Sequence, residues 1–177
     1  MDPELDPKMM ADLAGLESAG IRLSGAVLVA GSFPEHPFGA WTAQELENLW
    51  LVNLSFPLLC AQALAPRLAD GSCIQFLLDT SIHRPFLKRL PYSASKSGLA
   101  SVVPGLAQLL APRLRVVGHA IGTALPDATS DPRRLASLNL LQRNGTPADV
   151  ARSLRFAAAS HYLTGEIITL DGGRRWR

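Results

Sequence analysis

Two periods run through the apolar positions of this chain. Continuous short runs, Ala26–Ala30, Cys73–Leu78, Leu114–Val117 and Glu166–Leu170, suit strands buried on both faces of a parallel sheet. Between them lie stretches with helical spacing. Asp6–Ser18 predicts a short helix with Met9, Leu13 and Leu16 on one face, ended by Gly20. Thr42 followed by Glu45 predicts a capping box, opening a helix that carries Leu46, Leu49, Trp50, Asn53, Phe56, Cys60 and Leu64. A loop of basic and bulky residues, Ser81–Pro91, precedes a long helix over Tyr92–Ala111, in which Pro104-Gly105 predicts a kink. Asp127–Arg134 is polar and reads as a loop. Pro147–Ala159 predicts a helix with Thr146 as its cap and Pro147 at its first position. Asp171-Gly172-Gly173 stops the last strand. The alternation of strand and helix argues an α/β domain with a mainly parallel sheet.

Composition narrows the function classes. With 177 residues, 47% apolar and 18% charged, the chain fits one domain able to bury a sizeable core. The net charge of +2 is too small to argue for nucleic acid, and the tail cations Arg174, Arg175 and Arg177 read as a solvated terminus. Cys60 and Cys73 fit no metal spacing and read as buried, reduced thiols, which makes a cytoplasmic location the expectation. Met1–Lys8 lacks the features of a signal peptide, and no run approaches the roughly 18 apolar residues of a membrane span. His36, His119 and His161 show no ligand spacing, so no metal is expected.

The sharpest chemical signal is Tyr92-Ser93-Ala94-Ser95-Lys96. Residues four apart share a helix face, so Tyr92 and Lys96 point the same way. An ammonium beside a phenol favours phenolate and makes the pair a candidate general acid–base. The plainer alternative is a surface tyrosine near a solvated lysine. The flanking blocks bear on that choice. Tyr-x-x-x-Lys after a strand and loop resembles the short-chain dehydrogenase/reductase family. Val52–Pro57 resembles the helix carrying that family's structural Asn, here Asn53. Leu114–Val117 through Gly122 resembles the strand and loop covering the nicotinamide. Asn144–Ala151 resembles the entry to the last helix, and Leu163–Gly173 the closing strand. The resemblance covers roughly residues 10 to 173.

Most of the family has a Ser thirteen residues before the Tyr. Here that position, 92 − 13 = 79, is Asp79, as in the pteridine and dihydromonapterin reductases; Ser32-Phe33 and Leu170–Arg174 also resemble that branch. A carboxylate can pair with a pterin's amino group and ring nitrogens, or relay a proton. Asp79 serves equally as a cap for the loop after its strand. Ser81 is an alternative to the family's Ser, two residues off the register.

The resemblance implies an NADPH-dependent oxidoreductase. Tyr92, Lys96, Asp79 and Asn53 would be its catalytic residues, with Lys96, Tyr92, Gly122 and Gly31 on the cofactor side. Tyr92 would donate the proton, Lys96 would depress its pKa and contact the ribose, Asn53 would support the lysine, and Asp79 would orient a pterin-like substrate. The family's opening motif Thr-Gly-x-x-x-Gly-x-Gly, whose turn holds the cofactor pyrophosphate, has no match in these 177 residues. The expected fold is therefore a truncated, Rossmann-like, doubly wound sheet that begins after that motif. The family's Asn-Asn aligns with Leu28-Val29, its loop Pro-Gly with Ile121-Gly122, and the preceding Asn with Val117. Three readings follow: a reductase; a non-catalytic structural or regulatory subunit beside a full-length relative; or a fragment of a longer reductase. The first strand is expected to form an exposed apolar edge. A homo-oligomer, or a hetero-oligomer with a relative, is the expected assembly. No nucleic-acid or membrane partner is expected. His83, Arg84, Lys88 and Arg89 form a charge cluster able to meet an anion, though such clusters are more often solvated.

Overall fold

The computed structural model describes residues 7–126 and 130–177. Its elements are α1 (Pro7–Ser18), β1 (Leu23–Leu28), α2 (Ala43–Trp50), a π-helical turn (Leu51–Ser55), α3 (Phe56–Leu64), β2 (Leu68–Asp79), α4 (Leu90–Leu110), β3 (Arg115–Ile121), α5 (Pro132–Ser137), α6 (Pro147–Ala159) and β4 (Ile167–Leu170). The strands pair in parallel in the order β1-β2-β3-β4.

Side chains alternate across a strand, so each strand feeds two layers. On one face Ile74, Phe76 and Leu78 of β2 and Val116 and Ala120 of β3 meet Leu99, Val103 and Ala107 of α4. On the other, Cys73 and Val117 meet Ala157 of α6 and Ile168 of β4. Helices therefore cover both faces, as a parallel sheet requires. Gly118 has a packing reason. A Cβ there would come within 2.8 Å of Leu78, 3.1 Å of Ile167 and 3.3 Å of Val103, so α4 could not lie so close to the sheet.

Several boundaries differ from those expected. The first strand lies at Leu23–Leu28 rather than Ala26–Ala30, because its ladder with β2 runs only from Leu23 to Leu28. It is the edge of the sheet among the described strands, and Val27 and Val29 are exposed there. The third strand runs on past Val117 to Ile121. Gly118 and His119 hid this in the sequence, but β4 and β2 flank that stretch and complete its ladder. Pro104 lies inside α4 without ending it. The loop expected over Asp127–Arg134 lies partly outside the described residues, and its latter part opens α5 with Asp131 as the cap. Asp6 and the segment before it, with the signal-peptide reading, also lie outside them.

The continuous helical stretch Ala43–Arg67 corrects the expectation of no span-length apolar segment. By length and composition alone it is apolar enough to cross a bilayer. Asn53, Ser55 and Gln62 had interrupted the strictly apolar run. The stretch packs on β1, β2 and α4, which bury part of its apolar surface. Both cysteines are buried and unbridged, and burial pushes their thiols up.

Candidate active site

The carboxyl ends of β1 and β2, the π turn and the start of α4 converge on one spot. Pro57 lacks an N–H and cannot serve the Asn53 carbonyl four residues back. The helix widens there, and the Phe56 N–H reaches the Leu51 carbonyl five residues back. The turn thus formed buries Asn53 completely. Its side-chain oxygen accepts from the Ser32 N–H at 2.7 Å, and its amide donates to the Ser32 carbonyl at 3.0 Å and to Ser95 Oγ at 3.1 Å. Ser95 Oγ donates in turn to the Tyr92 carbonyl at 2.7 Å. Asn53 therefore clamps the loop after β1 onto the first turn of α4.

Lys96 is 5% exposed. Its ammonium donates to the carbonyls of Ala30 at 3.3 Å and Leu77 at 3.2 Å, tying β1 to β2. An ammonium has three N–H donors, so one is left for a ligand. Burial pulls the Lys96 pKa down, and the Asp79 charge opposes this. Gly31 lies beside the ammonium. A Cβ there would stand 3.5 Å from Lys96 Nζ and 3.7 Å from Asn53 Oδ1.

Tyr92 is 6% exposed and hydrogen-bonded to Asp79. Burial first, then the negative charge of Asp79 and that hydrogen bond, push the phenol well above its ordinary value. This corrects the expectation that Lys96 depresses it. The lysine's charge is spent on two main-chain oxygens, while a carboxylate sits against the hydroxyl. Tyr92 is thus held protonated, the state a proton donor needs. Asp79 caps the loop after its strand, as one of its two expected roles has it, since its Oδ1 accepts from the Ser81 N–H at 2.6 Å. Ser81 is buried, and its hydroxyl has no hydrogen-bond partner among the described residues.

Gly122 lies apart from Gly31. Its missing Cβ would stand 2.9 Å from the Asp171 Cα, so close packing between the ends of β3 and β4 demands glycine there. It also lines a cleft of about 1290 Å³, together with Leu78, Asp79 and Thr80. Leu28 closes β1 inside its ladder, and Val29 is exposed just beyond. Val117 is buried against the α6 layer.

Three features escaped the sequence reading. Ser95 bridges Asn53 to Tyr92, although an internal Ser in Tyr-Ser-Ala-Ser-Lys carries no positional signal. Phe33 packs edge-on against Tyr92 at 4.6 Å between centroids, and the Arg89 guanidinium lies over the Phe33 ring at 3.9 Å from its centroid. Arg174 and Arg175 are half-buried and line the cleft rather than forming a solvated tail; Arg177 also lines it but is exposed. The loop cluster is also largely engaged. Lys88 and Arg89 pair with Glu35, and His83 meets Thr169 Oγ1 at 2.9 Å.

Comparison with known proteins agrees with this geometry. The family model described as "Enoyl-(Acyl carrier protein) reductase" matches residues 8–175. The chain is 31% identical over 137 residues to the short-chain dehydrogenase/reductase SDRA of Arabidopsis thaliana, covering 72% of this chain and 54% of the relative. It is 30% identical over 137 residues to tropinone reductase-like 3 of Erythroxylum coca, covering 72% and 53%. The chain thus spans about half the length of these curated relatives. Among solved structures, a short-chain dehydrogenase/reductase from Serratia marcescens superposes with a TM-score of 0.86 at 26% identity, covering 94% of this chain and 71% of that one. FolM alternative dihydrofolate reductase 1 from Brucella suis, in complex with NADP, superposes with a TM-score of 0.86 at 26% identity, covering 98% and 72%. The chain belongs to the short-chain dehydrogenase/reductase family.

Proposed function

We propose that this chain carries the substrate half of an NADPH-dependent reductase acting on a pterin-like or similar carbonyl or imine substrate. The observation that carries the proposal is the hydrogen bond between a buried, protonated Tyr92 and Asp79, which lines the cleft. Such a phenol can give its proton to a developing anion on the substrate, and Asp79 orients the hydroxyl and accepts from a ring amino group. Lys96 keeps one donor for a ribose hydroxyl, and Asn53 fixes the loop against which a nicotinamide would lie. NADPH, when bound, supplies the hydride. Lys96 and the Asn53-held loop suit the nicotinamide side, while Leu28-Val29, Val117 and Ile121 stand where the family carries Asn and Pro. A pyrophosphate-binding Gly-rich turn is not among these 177 residues, so the adenosine half needs other residues. The FolM likeness supports the pterin reading and the NADP reading.

The test is turnover of a dihydropterin followed by loss of NADPH absorbance, with NADPH binding measured by calorimetry. Tyr92→Phe is expected to lower turnover by about 10²-fold or more while binding of the cofactor persists. Unchanged turnover would sink the assignment.

A second reading, a structural or regulatory subunit beside a full-length relative, draws on the bare β1 edge with its exposed Val27 and Val29. It expects copurification with a longer homologous chain and no turnover by this chain alone.

A further inference from the structure

The cleft above Asp79 has apolar walls and a strongly basic lining. Leu87, Leu125, Leu135 and Leu138 are among its apolar residues. Its cations are Arg84, Lys88, Arg89, Arg174, Arg175 and Arg177, against two carboxylates, Glu35 and Asp79. Those carboxylates do not reach all the cations. Glu35 pairs with Arg89 at 2.8 Å and with Lys88 at 3.4 Å. Asp79 is engaged by Tyr92 and by the Ser81 N–H. Arg84 donates to the main-chain oxygen of Arg177, and Arg177 to that of Asn139 at 3.1 Å.

That leaves Arg174 and Arg175 without a carboxylate partner among the described residues. Arg174 donates to the neutral Thr123 Oγ1 at 3.1 Å and lies 5.1 Å over the Phe86 ring. Arg175 lies 5.0 Å over Trp176, and its buried Nε has no hydrogen-bond partner among the described residues. The nearby Asp171 carboxylate accepts instead from the main-chain N–H groups of Gly173 at 2.8 Å and Arg175 at 3.0 Å. Two half-buried guanidiniums thus lie against rings, Arg174 with one neutral oxygen besides, and both keep donor capacity unspent. A guanidinium fork matches a carboxylate or phosphate with two parallel hydrogen bonds. Apolar walls strengthen that attraction relative to open water.

Aromatic contacts connect this pair to the reacting end. Tyr92 touches Phe33 at 4.6 Å, Phe33 touches Phe86 at 6.1 Å, and Phe86 carries Arg174. We propose that the cleft selects substrates bearing an anionic group, a carboxylate or phosphate, received by Arg174 and Arg175 with the reacting group toward Tyr92 and Asp79. The orientation rests on the reductase reading above; the binding of the anion does not.

The test uses the whole chain and three probes: benzoylformate, its uncharged methyl ester, and phenyl phosphate. Affinities are measured by calorimetry at low and high salt. At least one anion is expected to bind tenfold or more tighter than the ester, and whichever anion binds tighter identifies carboxylate or phosphate as the source. The anion's affinity should fall several-fold between about 20 mM and 500 mM NaCl while the ester's stays level, a readout that needs no variant. Arg174→Gln with Arg175→Gln should erase the preference, and Arg174→Lys with Arg175→Lys should restore part of it. Equal affinity of anions and ester, a preference untouched by the glutamine pair, or no binding of any probe would each overturn the anion site. Reduction of a neutral dihydropterin, and its loss in Tyr92→Phe, judges the reductase reading separately.

Discussion

Two buried polar clusters flank this sheet, and they are finished differently. On the α6 side His119 is completely buried. Its Nε2 meets Gln75 Oε1 at 2.9 Å and its Nδ1 meets Ser153 Oγ at 2.9 Å. A carbonyl oxygen only accepts, so Nε2 carries the proton and Nδ1 accepts from the serine. Burial holds the ring neutral, with its pKa pushed down to about 4. Both nitrogens are satisfied inside the protein. On the cleft side Lys96 keeps a spare donor, the Ser81 hydroxyl has no partner among the described residues, and Tyr92 is aligned by Asp79, which lines a large opening. A closed network contributes to stability. An open one forgoes some of that and leaves hydrogen-bonding capacity for a ligand.

Substitutions sharpen this contrast. The largest effect on turnover is expected from Lys96→Met, a loss of about 10²-fold or more. Its effect on unfolding by urea should stay within about 1 kcal/mol, since removing a buried charge offsets the two lost hydrogen bonds. A large destabilisation would mean that Lys96 is chiefly a structural tie. His119→Ala should do the reverse, costing roughly 2–4 kcal/mol in urea unfolding through a cavity and two orphaned partners, with ligand binding in the cleft preserved.

His119 also predicts a pH dependence. Its folded pKa lies below its unfolded value near 6.5, so the unfolded state takes up the proton first as pH falls. The stabilising contribution is present above about pH 6.5 and is lost as pH drops toward about 4. Thermal melting of the wild type should therefore fall across that window, and His119→Gln should flatten the slope. An unchanged slope would assign the acid sensitivity to other groups.

Asp79→Asn probes the cleft side more gently. Removing the carboxylate charge should lower the Tyr92 pKa, read as tyrosinate absorbance at lower pH than in the wild type. The smallest effect is expected far from either cluster. Thr146 and Asp149 form the capping box of α6, and Thr146→Ala should cost about 1 kcal/mol with no change in ligand binding.

Local rules predicted what local chemistry controls. The capping box at Thr42–Glu45 and the Thr146 cap form as expected, because each depends on residues a few positions apart; at Thr146 the structure adds Asp149, which completes a second box. The helix Pro147–Ala159 has the expected bounds. The Tyr92–Lys96 spacing marked the site because a helix puts those residues on one face. Where contact across the fold decides, the sequence was less informative. The end of β3 is a strand because β2 and β4 flank Gly118 and His119, not because of local propensity.

By itself, then, the sequence determined the alternation of strand and helix, the caps and the family. Those follow from periodicity, from neighbours a few residues apart, and from motifs in order along the chain. Only the tertiary structure decided the state of the site. Burial and an Asp79 contact thirteen residues away in sequence raise the Tyr92 pKa, where proximity to Lys96 had implied the opposite. It also carried Arg174 and Arg175 from an apparent solvated tail to the lining of the cleft, beside Phe86. Desolvation and long-range juxtaposition are properties of packing, and no window along the chain contains them.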